Sequence, residues 1–205
     1  MIPTTNLYLY ENEYHNLGYI YIAGTDEAGR GPLAGPVVAS AVILKKDAIL
    51  PLVYDSKKLT EKMRLKALEQ IKENALAIET VFIDPEKIDE INIYQASKLA
   101  MIQAIEKLDP KPNFILTDAM PIGDEYEHLS IIKGDQKSIS IAAASIVAKV
   151  TRDEYMEKMA IKYPEYGFET HKGYGTKKHI EAIKKYGITP IHRKTYEPIK
   201  TLIKK

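Results

Sequence analysis

Four carboxylates stand out by where they fall along the chain. Asp26 and Glu27 close a run of β-forming residues and open a glycine-rich turn. Asp118 closes the apolar run Phe114–Thr117. Asp153 follows a long alanine-rich stretch at the point where it turns polar. A carboxylate at the end of a strand points into the crevice at the sheet edge, where α/β proteins place their sites. Carboxylates that converge there repel one another, and protonation or hard divalent cations relieve the repulsion. Mg²⁺ and Mn²⁺ favour such oxygen-only sites. Two such ions about 3.5–4 Å apart can activate a water and stabilise the leaving oxygen of a phosphodiester. Each acid also has an ordinary reading. Asp26-Glu27 fits a solvated turn entry, Asp118 a strand-end cap, and Asp153, between Arg152 and Glu154, a polar helical face.

The turn Ala28-Gly29-Arg30-Gly31-Pro32-Leu33-Ala34-Gly35-Pro36 fits no phosphate-loop template. It lacks the Gly-Lys-Ser/Thr of a P-loop, and its glycines are spaced one residue too long for a dinucleotide fingerprint. It does place glycines on both sides of Arg30, so a backbone can approach a ligand while a guanidinium grips a phosphate. The alternative is a tight turn with an exposed arginine. In His171-Lys172-Gly173-Tyr174-Gly175-Thr176, an aromatic between glycines and next to lysine can lie against a sugar or base. The alternative is a surface turn before a helix. His171, His179 and His192 have no carboxylates beside them and read as surface residues, not ligands.

The elements that must position these groups alternate along the chain. Strands are expected at 19–23, 37–44, 77–83, 114–117 and 129–132, and helices at 60–74, 94–108, 138–163, 176–186 and 196–205. The short connection between the first two strands predicts an antiparallel pair. The pattern predicts an α/β domain with a mixed central sheet flanked by helices. Residues 1–163 are expected to form the main domain, and residues 164–205 a small basic helical C-terminal extension.

The chain has 205 residues, 45% hydrophobic and 28% charged, with no cysteine. Disorder is excluded by the apolar content, and disulfide frameworks, thiolate metal sites and cysteine nucleophiles by the composition. No apolar run approaches the roughly 20 residues that span a bilayer. No secretory leader is evident in residues 1–14. These features predict a cytoplasmic protein with no membrane partner. The net charge of +1 hides an asymmetry, because residues 171–205 carry ten Lys and Arg against two acids, or +8, and the rest −7. A basic segment on a mildly acidic body fits a polyanion partner or a solvated helical end.

Taken together, these pieces resemble ribonuclease HII, the type 2 ribonuclease H family. The blocks that carry the resemblance are Gly24–Val38, Asp55–Leu59, Phe114–Ala119, Lys133–Asp135 with Ser138–Asp153, and His171–Thr176, in order along most of the chain. Ala28 and Gln136 depart from the residues common at those places, and neither touches the assigned chemistry. The segment before Gly24 is expected to be too short for the extra N-terminal domain of the ribonuclease HIII branch, which also tends to have Glu where this chain has Asp153.

The resemblance implies a ribonuclease H-like fold. It implies endonucleolytic hydrolysis of the RNA strand of RNA–DNA hybrids, and cleavage 5′ to ribonucleotides embedded in duplex DNA, leaving 5′-phosphate and 3′-hydroxyl ends. It implies that Asp26, Glu27, Asp118 and Asp153 are catalytic and hold two Mg²⁺ or Mn²⁺ ions. Gly29, Arg30 and Gly31 would read the 2′-hydroxyl at the RNA–DNA junction. Tyr174 would stack on the following deoxyribose, and Lys57, Lys58, Ser145 and Lys149 would complete the substrate-binding set. The expected state is a monomer. Two other classes fit the same pieces: a non-catalytic nucleic-acid-binding module, and a junction-cutting nuclease of the same fold. A mere binder of polyanions gains nothing from a repulsive acidic cluster, and an all-DNA substrate separates the second class.

Overall fold

The computed structural model describes residues 6–203. The first residues of the segment read for a leader and the last two of the expected 196–205 helix lie outside that range. In chain order the elements are α1 (Leu9–Asn16), β1 (Ile22–Ala28), β2 (Val37–Leu44), α2 (Glu61–Asn74), β3 (Ala75–Ile83), α3 (Pro85–Ile91) and α4 (Ile93–Lys107). They continue with β4 (Phe114–Asp118), β5 (His128–Ile131), α5 (Ile139–Lys162), α6 (Phe168–His171), α7 (Lys177–Tyr186) and α8 (Ile199–Leu202).

The five strands form one sheet in the order β3-β2-β1-β4-β5. β1 pairs antiparallel with β2 and β2 with β3, whereas β1–β4 and β4–β5 are parallel. The sheet is therefore mixed, as expected. β2 shows how it is covered, because its residues alternate between the two faces. Val37, Ala39, Ala41 and Ile43 pack in the cluster of Ala96, Ala100, Met101 and Ala104 from α4. Val42 and Leu44 pack in the cluster of Ala67 and Ile71 from α2 and Ala142, Ala143 and Ile146 from α5. A strand buried on both faces reads as a continuous apolar run, and all eight residues of β2 are buried.

Local chemistry explains the helix starts. Thr60, Ser138 and Thr176 each accept a hydrogen bond from the backbone N–H three residues on, at 3.3, 3.2 and 3.3 Å. Gly187 follows α7 at φ +80°. Pro85, which stops β3, also opens α3 at its first position.

Two expectations are corrected, and one helix, α1, is an addition to them. The first strand does not end at Gly24; β1 runs through it to Ala28. A Cβ on Gly24 would lie 2.1 Å from the Ser140 carbonyl carbon, so this glycine admits the start of α5 rather than breaking the strand. α1 has no apolar stripe to announce it. It is pinned instead by buried Glu11, whose Oε1 accepts from Ser138 Oγ at 2.6 Å and Ser140 N at 2.9 Å. Of the expected 196–205 helix, Ile199–Leu202 is helical, preceded by Pro198 at the cap position.

Residues after Tyr163 build their own apolar cluster from Tyr166, Phe168, Ala182, Ile183, Ile191 and Ile199. Leu33, Ala34 and Met156 from the preceding part of the chain share it. Among the described residues, no helix is long and apolar enough to cross a membrane.

Candidate active site

The cleft that concerns function opens at the end of β1, and its position follows from strand register. Thr25 and Thr117 face each other in the parallel β1–β4 pair, so the next residues, Asp26 and Asp118, sit side by side. By alternation Asp26 lies on the face of Ile22 and Gly24, against α5. The close approach at Gly24 brings α5 near enough to deliver Ser145 and Lys149 to the same cleft, which has a volume of about 560 Å³. Its walls also carry Glu27, Gly29, Arg30, Gly31, Lys57 and Tyr174.

Asp26 is buried, and its carboxyl is pushed well above the usual range by burial, then by the charges of Glu27 and Asp118. Burial also raises Glu27, an effect that Arg30 opposes. Arg30 Nη1 donates to Glu27 Oε1 at 3.2 Å, while Glu27 Oε2 is buried without a partner. Asp118 Oδ1 accepts from Gly134 N at 2.7 Å.

Asp153 is not among the residues lining the cleft. One turn earlier on α5, the Lys149 ammonium donates to its two oxygens at 2.5 and 2.6 Å. Burial lowers the pKa of Lys149, an effect that Asp153 opposes. Among the described residues, no three His, Asp or Glu side chains converge closely enough in this arrangement to hold one ion. The donor set nevertheless fits hard cations: all-oxygen, costly to ionise at Asp26, and with an orphaned lone pair at Glu27.

The remaining residues singled out from sequence divide. Ser145 Oγ lies 3.0 Å from Ser56 Oγ. Lys57 lines the cleft and reaches Asp135 at 3.9 Å, whereas Lys58 is not on its wall and pairs with Asp55 at 3.7 Å. Tyr174 is half exposed.

Sequence reasoning missed Arg64, Arg152 and Ser56 on the walls, and the buried Asp135 beside Asp118. Arg64 sits in an ordinary helical pattern that carries no signal. Arg152, Asp135 and Ser56 fall inside the quoted blocks, where the signal was present but pointed to no role.

The histidines are a correction. His171, His179 and His192 are buried, not on the surface. The rings of His171 and His179 stack with centroids 4.6 Å apart. His192 Nδ1 accepts from Thr189 N at 2.9 Å, which puts its proton on Nε2. That Nε2 donates to His179 Nε2 at 3.1 Å, and His179 Nδ1 donates to the Tyr174 carbonyl at 2.9 Å. Backbone partners and one bond between two of the rings, not carboxylates, let them be buried.

The comparisons with known proteins agree with one another. The family model described as Ribonuclease HII matches residues 23–199. A ribonuclease HII from Bacillus mycoides is 54% identical over 196 residues, covering 96% of this chain and 76% of the relative. Among solved structures, the ribonuclease H2 from Pyrococcus horikoshii OT3 superposes with a TM-score of 0.77 at 30% identity, covering 90% of this chain and 97% of that one. The chain in the PCNA:RNase HII complex from Archaeoglobus fulgidus gives 0.74 at 28% identity, covering 86% and 95%.

Proposed function

The chain belongs to the ribonuclease HII family and has its ribonuclease H-like fold, and from that premise we propose how the cleft works. The activity of the family is endonucleolytic hydrolysis of the RNA strand of RNA–DNA hybrids, dependent on divalent metal ions. The finer reading is cleavage on the 5′ side of a ribonucleotide embedded in duplex DNA, leaving 5′-phosphate and 3′-hydroxyl ends. One observation carries it: Asp26, inside β1, and Asp118, at the end of β4, sit side by side on adjacent parallel strands in the cleft that also takes the Gly29–Gly31 loop and Tyr174.

Asp26, Glu27, Asp118 and Asp153 would hold two Mg²⁺ or Mn²⁺ ions, which when bound supply an activated water and stabilise the departing 3′-oxygen. Asp26 is costly to ionise alone, so its carboxylate is poised to gain from a nearby positive charge. Glu27 offers its unpartnered Oε2 without breaking a contact. Asp153 joins after exchanging its bond to Lys149, which frees that ammonium for a phosphate. Gly29, Arg30 and Gly31 bring backbone groups close enough to read a 2′-hydroxyl, the feature that separates RNA from DNA at a given site. Tyr174 stacks on the following deoxyribose. Lys57 and Ser145, also on the cleft walls, meet the substrate backbone, with Lys58 outside the lining.

In this reading residues 1–163 are the catalytic domain. Residues 164–205 are a basic extension that holds duplex phosphates in a salt-dependent, sequence-independent manner. The protein acts as a cytoplasmic monomer. The deciding experiment is a cleavage map of an end-labelled DNA duplex carrying one ribonucleotide, with metal present, chelated and restored. A single metal-dependent cut on the 5′ side is expected. A cut in an all-DNA duplex, or none in either, overturns the reading.

A further inference from the structure

Arg193 is completely buried, yet among the described residues it has no carboxylate partner. A buried guanidinium is costly unless its donors are satisfied. Here they are spent largely on one loop. Nε and Nη2 donate to the Gly35 carbonyl at 3.0 and 2.8 Å, Nη2 to Gly29 O at 2.5 Å, and Nη1 to Arg30 O at 2.8 Å. Tyr196 adds a second donor from the same segment, with its hydroxyl 2.8 Å from Arg30 O. Its ring lies 5.0 Å from the Arg193 guanidinium, and Arg193 Nη1 donates to its hydroxyl at 3.2 Å. An apolar side chain of similar volume would fill the space at lower cost, so packing alone does not account for this arrangement.

Peptide geometry gives it a consequence. In a planar trans peptide the C=O of one residue and the N–H of the next point in opposite directions. Holding Gly29 O and Arg30 O inward, onto Arg193 and Tyr196, therefore turns the N–H groups of Arg30 and Gly31 away from them. Both residues line the cleft, and among the described residues neither N–H donates within the chain.

We propose that Arg193 and Tyr196 are positioning residues for ribose recognition, holding two carbonyls of the glycine-rich loop so that two N–H groups face the 2′-hydroxyl. The inference rests on the functional reading above and extends it to residues far along the chain from the loop.

The test uses the full chain with Tyr196→Phe, which removes one hydroxyl and keeps the ring, and Arg193→Lys, which keeps the charge and loses the fork. Three quantities are measured: kcat/KM on a duplex with one ribonucleotide, Kd for the matching all-DNA duplex, and ¹⁵N order parameters of the Arg30 and Gly31 amides. Tyr196→Phe is expected to lower kcat/KM about fivefold, the worth of one net hydrogen bond. Arg193→Lys is expected to lower it by at least about tenfold, since hydrogen bonds to a charged group are stronger. In both, all-DNA binding stays constant and the two order parameters fall. If folded Tyr196→Phe keeps its kcat/KM and rigid amides, or loses all-DNA binding in the same proportion, the proposal is overturned. Should Arg193→Lys fail to fold, Tyr196→Phe decides alone. A parent chain that makes no cut at the ribonucleotide sinks the functional reading, and the order parameters still decide whether these residues fix the loop.

Discussion

The Lys149 ammonium sits on both carboxylate oxygens of Asp153, at 2.5 and 2.6 Å, across one turn of α5. An acid assigned to a metal site is thus occupied by a positive charge of its own helix, and a cation must compete with that charge. A partly exposed ion pair of this kind is worth up to about 1 kcal/mol. Lys149→Met should therefore tighten Mn²⁺ binding by about fivefold or less, measured by calorimetry on the free protein. The same variant should bind nucleic acid more weakly. Unchanged or weaker Mn²⁺ binding would separate Asp153 from the metal.

Asp118→Asn keeps the shape of the side chain and removes a charge from the Asp26–Asp118 pair. Turnover should fall by about a hundred- to a thousandfold, the order seen when a group that stabilises transition-state charge is removed. Substrate affinity should change little, because the lost charge repels phosphate. Single-turnover kinetics beside a binding titration check this, and cleavage at the parent rate would remove Asp118 from the chemistry.

Gly29→Ala tests the loop itself. At φ +95°, an added Cβ would lie 2.1 Å from Arg152 Nε and 2.8 Å from the Pro36 carbonyl oxygen. The left-handed backbone alone costs a non-glycine residue about 1–2 kcal/mol. Arg152 must also move, although it holds Pro36 O, Ala34 O and Lys172 O at 3.0 Å each. The variant should lose both melting temperature and cleavage, whereas Gly18→Ala, with open space around its Cβ, should spare cleavage.

Tyr174→Ala should weaken cleavage at a single ribonucleotide by about tenfold, since an aromatic stacking contact is worth roughly 1–3 kcal/mol. The tyrosine is half exposed, so the fold should tolerate the change. Steady-state kinetics and a melting curve suffice, and equal activity would make the residue an ordinary surface turn.

The paired histidines predict a pH dependence of stability. His179 and His192 are each held down to about 4, first by burial; His171 adds its charge against His179, and His179 against His192. In the unfolded chain both titrate near 6.5. Between these values the unfolded state binds protons that the folded state excludes. Their contribution is therefore complete above about pH 6.5 and is lost as pH falls towards 4, at up to about 1.4 kcal/mol per histidine per unit. Glu11, Asp26 and Glu27, all raised by burial, act in the opposite direction on acidification. The comparison is therefore with His192→Gln, whose unfolding free energy should fall less steeply between pH 6.5 and 5. Equal slopes would contradict it.

What the amino-acid sequence determined on its own was local. Thr60, Ser138 and Thr176 mark helix starts because a side-chain oxygen three residues ahead of a free N–H is a short-range interaction. The apolar runs at Val37–Leu44 and Phe114–Thr117 mark strands for the same reason, and the motif blocks named the family. Tertiary structure alone decided the rest. Gly24 reads locally as a strand stop, and it became an interior position because α5 crosses it. The histidines read as surface residues because no carboxylates flank them, and they are buried instead by backbone partners in the turns beside them and by packing against one another. Asp26 and Asp118 are 92 residues apart and meet through strand register, while Arg193 reaches Gly29 across 164. Such contacts depend on which strand lies beside which and on what the chain's end folds back upon, and no local pattern encodes either.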